Sequence, residues 1–171
     1  MTAGVEASIS VNLRATLSGS NDLGTPRAPA LVEFLQGFSP GTDAITKANI
    51  LFADTRTLVA SAMENLAILG ALTDALGSTV SAAEVTAIWI EAADTNTNSV
   101  VAFGAASNAF NGPLSGTTPK VTLQPGNGML FVCKQGWAGT AGTGDIILVA
   151  NSGSGTSVDY TIVLIGRTTA A

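Results

Sequence analysis

Ser8 to Ser18 alternates apolar and polar residues without a break, with Ile9, Val11, Leu13, Ala15 and Leu17 in one set and Ser, Asn, Arg and Thr in the other. A period of two places successive side chains on opposite faces, so this segment reads as a half-buried strand. Gly19 to Pro29 follows, with two prolines and two glycines. Such a stretch suits neither a helix interior nor a central strand, and it is expected to be an extended arm or long loop. Leu31 to Phe38 is an apolar piece of undecided type, closed by Gly37 and the turn signal Ser39-Pro40-Gly41.

Between Phe52 and Gly77 two periods compete. Leu58, Val59, Ala62, Met63, Leu66 and Leu69 recur at helical spacing, whereas Phe52, Asp54, Arg56, Leu58 and Ala60 share one face of a strand. The pattern alone favours a helix, and Gly77 after Leu72 to Leu76 reads as the end of a helical turn. Beyond residue 84 the signal is uniform: Val85–Ile90, Val100–Phe103, Lys120–Leu123, Met129–Cys133, Ile146–Val149 and Val158–Ile165. Each piece has strand length, is rich in β-branched or aromatic residues, and is bounded by Asn, Gly, Pro or Ser. Short strands at regular spacing without helices between them predict an all-β fold, an antiparallel β-sandwich or jelly roll. The chain divides into an N-terminal strand and arm (1–48), a β core (49–167) and a short tail (168–171).

Charge narrows the functions open to this fold. Only 11% of the 171 residues are charged, against 46% hydrophobic, and the net charge is −5. Ser, Thr, Asn and Gly must therefore keep the surface wet, as on surfaces that become interfaces. The seven basic residues are scattered, which argues against direct nucleic-acid binding, because phosphate recognition needs clustered Lys and Arg. The single cysteine, Cys133, lies in the apolar run Met129 to Cys133 and is expected to be a buried core thiol. No leader-like or membrane-spanning apolar run is expected to direct the chain to a membrane or to secretion.

Histidine is absent, which removes the commonest general base, the Ser-His-Asp arrangement and the usual zinc sites. Glu84 and Glu91 are an odd number of residues apart on one strand, so they face opposite ways. Asp94 to Ser99 imitates the first half of a calcium loop, yet Ser99 stands where glycine is needed and Ala105 where a bidentate glutamate is needed. The Gly-rich stretches Gly139 to Gly144 and Ser152 to Gly155 each precede a strand instead of a phosphate-binding helix, and they read as turns. Trp137 is expected to plug the end of the sandwich more readily than to face a sugar. There is no Asn-x-Ser/Thr acceptor. No enzyme activity, cofactor or metal is expected.

Ala53 to Leu58, Leu72 to Gly77, Gly104 to Phe110, Gln124-Pro125-Gly126, Ala141 to Asp145 and the closing Asp159 to Gly166 resemble small β-rich proteins encoded among the particle genes of tailed bacteriophages and prophages. The resemblance covers about Asn49 to Gly166, and more loosely the N-terminal strand and Asn21 to Gly24. It implies strands for Ala53 to Leu58 and the residues after it. It also implies a virion part with no catalytic residues, most simply a capsid cement or decoration protein on the capsid surface. The partners then expected are the major capsid protein and further copies of the chain, as a trimer. A receptor- or glycan-binding module of a fibre or spike is an alternative, as is a tail or head-to-tail connector subunit. The candidate partner contacts are Leu23, Gly24, Thr25, Pro26, Arg27 and Pro29, working with the Ser8 to Ser18 strand to add to a sheet edge or to lie in a groove.

Overall fold

The computed structural model describes residues 4–104, 107–116 and 118–171. Ala105, and with it part of the Gly104 to Phe110 motif, lies outside them. Every regular element among the described residues is a strand. A long hairpin, β1 (Ala7–Ser18) and β2 (Arg27–Pro40), is followed by the short β3 (Lys47–Ala48). The body then runs β4 (Ile50–Leu58), β5 (Met63–Ala67), the pair β6 (Leu69–Thr73) and β7 (Thr79–Ser81), and β8 (Glu84–Ala92). It continues through β9 (Val100–Ala102), β10 (Val121–Leu123), β11 (Gly128–Ala138), β12 (Ile146–Asn151) and β13 (Val158–Arg167).

Two antiparallel four-stranded sheets form the body, in the orders β11-β8-β13-β4 and β10-β9-β12-β5. Their pairings nest: β4 with β13, β5 with β12, β8 with β11, and β9 with β10. The chain thus runs as one long folded ribbon, and β13·β8 and β12·β9 close that ribbon into two sheets. This nesting is the winding of a jelly roll, which settles the choice left open by the strand pattern.

Alternation supplies the core. Val158, Tyr160, Ile162 and Leu164 of β13 face Ile147 and Val149 of β12 across the sandwich, joined by Ile88, Ile90, Phe52, Leu66 and Val100 in one cluster of buried side chains. Burying each such aliphatic side chain contributes roughly 1.5–3 kcal/mol. All six segments expected after residue 84 are strands, and β11 and β13 run longer than their apolar runs.

The helix favoured by pattern between Phe52 and Leu69 is instead β4, β5 and the start of β6, as the resemblance implied. Helical spacing misled because β4 buries one parity, Ile50, Phe52 and Leu58, while Val59 to Ala62 form a turn whose residues mimic the next helical positions. The supposed helix end at Gly77 is a hairpin turn. Asp74 Oδ1 accepts from the Leu76 and Ser78 amides there, and Gly77 takes φ +83°. Cys133 is half-buried instead of sealed in the core. It sits in the irregular part of β11, where the pairing with β8 breaks between Val132 and Trp137, so strict alternation does not carry it inward.

A candidate docking hairpin

The segment expected to be an irregular arm is instead the end of a regular hairpin. β1 and β2 pair antiparallel in one unbroken register from Ala7↔Phe38 to Ser18↔Arg27. At about 3.4 Å per residue, the 12 residues of β1 span roughly 40 Å. The turn is local chemistry: Asn21 and Gly24 exchange backbone hydrogen bonds, and Asn21 Oδ1 accepts from the Leu23 amide. Gly19 donates to the Pro26 carbonyl, continuing the ladder up to the turn.

Of the candidate contact residues, Leu23, Gly24, Thr25 and Pro26 form the tip, and Leu23 is 99% exposed. Arg27 and Pro29 do not belong to a loop. They open β2, where Pro29 pairs across from Thr16. Proline is tolerated there because β2 is an edge strand along this stretch.

Register sorts the hairpin into two faces, since residues directly opposite in an antiparallel pair share a face. One face carries Val11, Leu13, Ala15 and Leu17 of β1 opposite Phe34, Val32, Ala30 and Ala28 of β2. No charged residue interrupts it from Ile9 to Leu17. The other face is polar along β1, where Arg14 Nε donates to Asn12 Oδ1, Asn12 Nδ2 donates to Glu33 Oε1, and Arg14 stands 3.8 Å from Glu33. Exposed pairs of this kind contribute little stability.

The strand expected to be half-buried is therefore amphipathic, yet its apolar face is not covered by the other described residues. Leu13 is 60% exposed, Val32 58% and Leu17 76%. The hairpin's described residues pack on the body at the root, through Ala7, Ile9 and Phe38, and are exposed from Ser10 to Leu35.

That root is built firmly. Phe38 is buried with Ala48, Ala87 and Ile165, and Val5, Ala7, Ile9 and Val132 pack around them. Val132, Ala87 and Ile165 form one row across the outer face of the β11-β8-β13 sheet, so the base of the hairpin covers the middle of that sheet. Arg167, at the end of β13, completes the attachment. Its Nη1 donates to the Ile45 and Lys47 carbonyls beside β3 and to Lys134, its Nη2 donates to Gln135, and its Nε and Nη2 donate to Glu84 Oε2. One buried side chain thus ties hairpin root, sheet edge and the irregular part of β11 together.

The other candidates have structural roles. In the calcium-like loop, Asn96 exchanges side-chain hydrogen bonds with the Asp159 backbone, and Asn98 donates to Asn151 and Thr156, so those polar residues lace two loops together. Gly139 to Gly144 closes in a tight turn in which Thr140 and Gly144 exchange backbone bonds. Trp137 packs on the main core. No group of three His, Cys, Asp or Glu residues able to hold a metal occurs among the described residues. The Tyr160 hydroxyl donates to Glu64, which pairs with Arg56, which in turn pairs with Asp54. Burial first, and then the Glu64 bond, raise the Tyr160 pKa well above its ordinary value.

Reading segments one at a time missed Val32, Phe34, Phe38 and Arg167. Aligning the two apolar sets around the Asn21 to Gly24 turn would have found the first three, because the β2 set mirrors Ile9 to Leu17. No sequence signal marks Arg167 apart from the other scattered basic residues.

No family model and no curated protein matches this sequence. A solved chain from Bacillus endospore appendages, described as forming a family of disulfide-linked pili, is similar over 70% of this chain and 88% of that one, at 11% identity and a TM-score of 0.37. A likeness of that size carries no argument about role.

Proposed function

We propose that this chain is a non-enzymatic structural protein of a virus particle, a cement or decoration protein that lies on the capsid and grips the major capsid protein. The hairpin is the observation that carries the reading: an uncharged apolar face some ten residues long, rooted in the sandwich and covered by none of the other described residues. Isolated proteins rarely expose contiguous apolar surface on this scale unless it meets a partner. A jelly roll is also a frequent architecture of viral capsid domains, which is support by analogy of fold alone. The acidic balance favours protein over nucleic acid as the partner.

In this reading the apolar face lies down on the shell across a junction, while the body stays outside it and self-associates. A subunit of the tail or of the head-to-tail connector is the second reading, because a projecting hairpin serves ring assembly equally well. Copy number separates them. Quantitative protein analysis of purified particles should find this chain in numbers comparable to the major capsid protein. A few to a few tens of copies would assign it to the tail or connector, and absence from particles would refute the virion reading.

A further inference from the structure

We propose that the free edge of β1 pairs antiparallel with the β1 edge of a second copy of this chain, in the register that sets Leu13 opposite its own twofold mate. The inference stands on the hairpin's geometry and not on the virion reading.

Backbone parity identifies the edge. In an antiparallel ladder, residues that bond to the partner strand alternate with residues whose N–H and C=O point away. Asn21 and Gly24 exchange hydrogen bonds, Gly19 donates to Pro26, and the register below them is unbroken. The outward-pointing residues of β1 are therefore the even ones, Ser8 to Ser18. On β2 they are the odd ones, among which Pro29 has no N–H to offer, and β3 occupies the edge at Ser39 and Pro40. Proline and a covering strand are ways of blunting an edge. β1 has neither: among the described residues it pairs with β2 alone, which leaves its outward backbone groups as a free row. A two-stranded ribbon is marginal in water, and a third strand is what stabilises it.

The sequence of that edge is complementary to itself. With Leu13 on the twofold axis, Asn12 faces Arg14 of the second copy, Ser10 faces Thr16, and Ser8 faces Ser18. Even residues then meet even residues, as the outward hydrogen bonds require, and both apolar faces fall on the same side. Asn12 already accepts from Arg14 and donates to Glu33 within one hairpin. The joined sheet extends this into a row in which Arg14 of one copy approaches Asn12 and Glu33 of the other. A shift that placed Arg14 opposite Arg14 would set like charges against each other, so charge selects the register. The product is a four-stranded sheet with one continuous apolar face.

Purified protein without particles tests this. In a Cys133→Ser background, Leu13→Cys should form a disulfide-linked dimer under mild oxidation, because a non-hydrogen-bonded antiparallel pair brings the two Cα atoms to about 4.5 Å. Val32→Cys, one strand further in and equally exposed, should crosslink at least about tenfold more slowly, given its distance from the paired edge. Hydrogen exchange should show the Ser10, Asn12, Arg14 and Thr16 amides protected at concentrations where the dimer forms and exchanging freely on dilution. Equal crosslinking of the two variants, a protein that stays monomeric, or even-numbered β1 amides that always exchange as fast as those of Leu31 and Leu35 would overturn the proposal. Protection of those amides only when shells are added would assign the edge to a capsid strand and overturn it equally. Particle copy number is measured separately, so the virion reading and the pairing can fail independently.

Discussion

The Arg167 guanidinium is wholly buried and meets the Glu84 carboxylate through both Nε, at 2.9 Å, and Nη2, at 2.5 Å. The same side chain donates to carbonyls at Ile45, Lys47, Lys134 and Gln135, so removing it strands several acceptors as well as one anion. Breaking one side of a buried pair costs about 3–5 kcal/mol. Arg167→Met should therefore lower stability by that order in urea unfolding, and should open the Ile45 to Lys47 segment to proteolysis before the body unfolds. A loss below about 0.5 kcal/mol, the usual scatter of surface substitutions, would show that the pair does not hold the root.

Asn151 laces three loops together from a buried position. Its Nδ2 donates to the Val59 and Thr156 carbonyls, and its Oδ1 accepts from Asn98 Nδ2 and the Gly153 amide. Asn151→Leu keeps the branched outline of the side chain, with bulkier methyl groups, and offers no partner for any of them. Leaving buried groups unsatisfied costs about 1–3 kcal/mol, so a thermal melt should fall by several degrees, whereas an exposed control such as Thr122→Ala should leave it unchanged.

Alkaline stability should carry the signature of Tyr160. Burial and the Glu64 bond raise its pKa above the ordinary 10.0, so above that pH the folded state retains a proton that the unfolded chain releases. The stabilisation this brings is complete below pH 10 and declines as pH rises beyond it. Tyr160→Phe should be less stable than wild type near neutrality and should lose less between about pH 9.5 and pH 11, the range in which an unperturbed tyrosine ionises. Parallel stability curves for the two proteins over that range would refute the assignment.

Within β8, alternation separates neighbours. Ile90 is buried in the main core, whereas Trp89 lies on the outer face, partly exposed, with Gly128 beneath its ring and Nε1 donating to Glu91. Ile90→Ala should cost about 2–5 kcal/mol, and Trp89→Ala distinctly less, because only the former opens an internal cavity. Equal losses would place the two side chains in the same environment.

The second half of the chain was legible in sequence because its strands are buried on at least one side, and apolar runs such as Ile146 to Val149 and Val158 to Ile165 report that burial directly. Between Phe52 and Leu69 the turn residues Val59 to Ala62 are themselves partly apolar, so a strand, a turn and a strand together imitate a helical period. The hairpin was half legible. Its first strand announced itself by perfect alternation, but Pro26 and Pro29 disguised the start of the second, since proline at a free edge costs no ladder bond. Exposure of both strands could not be read at all: alternation states which side chains share a face and says nothing about what covers it. Arg167 was illegible for the opposite reason, its burial depending on Glu84, Ile45 and Lys134, residues distant in sequence that only the closed fold assembles.

The apolar face of the hairpin carries the proposed attachment to the particle. Co-sedimentation with particle shells that lack this chain measures its role directly, comparing the wild type with a Leu13→Ser, Val32→Ser, Phe34→Ser variant. All three side chains are exposed in the free protein, so the variant should melt within a few degrees of wild type. The wild type should bind to saturation at a fixed ratio to the major capsid protein. The variant should bind at least about 100-fold more weakly, since each lost apolar contact removes on the order of 1 kcal/mol or more. Undiminished binding by the triple variant, or no binding by the wild type, would contradict the claim that this face is what holds the protein to its particle.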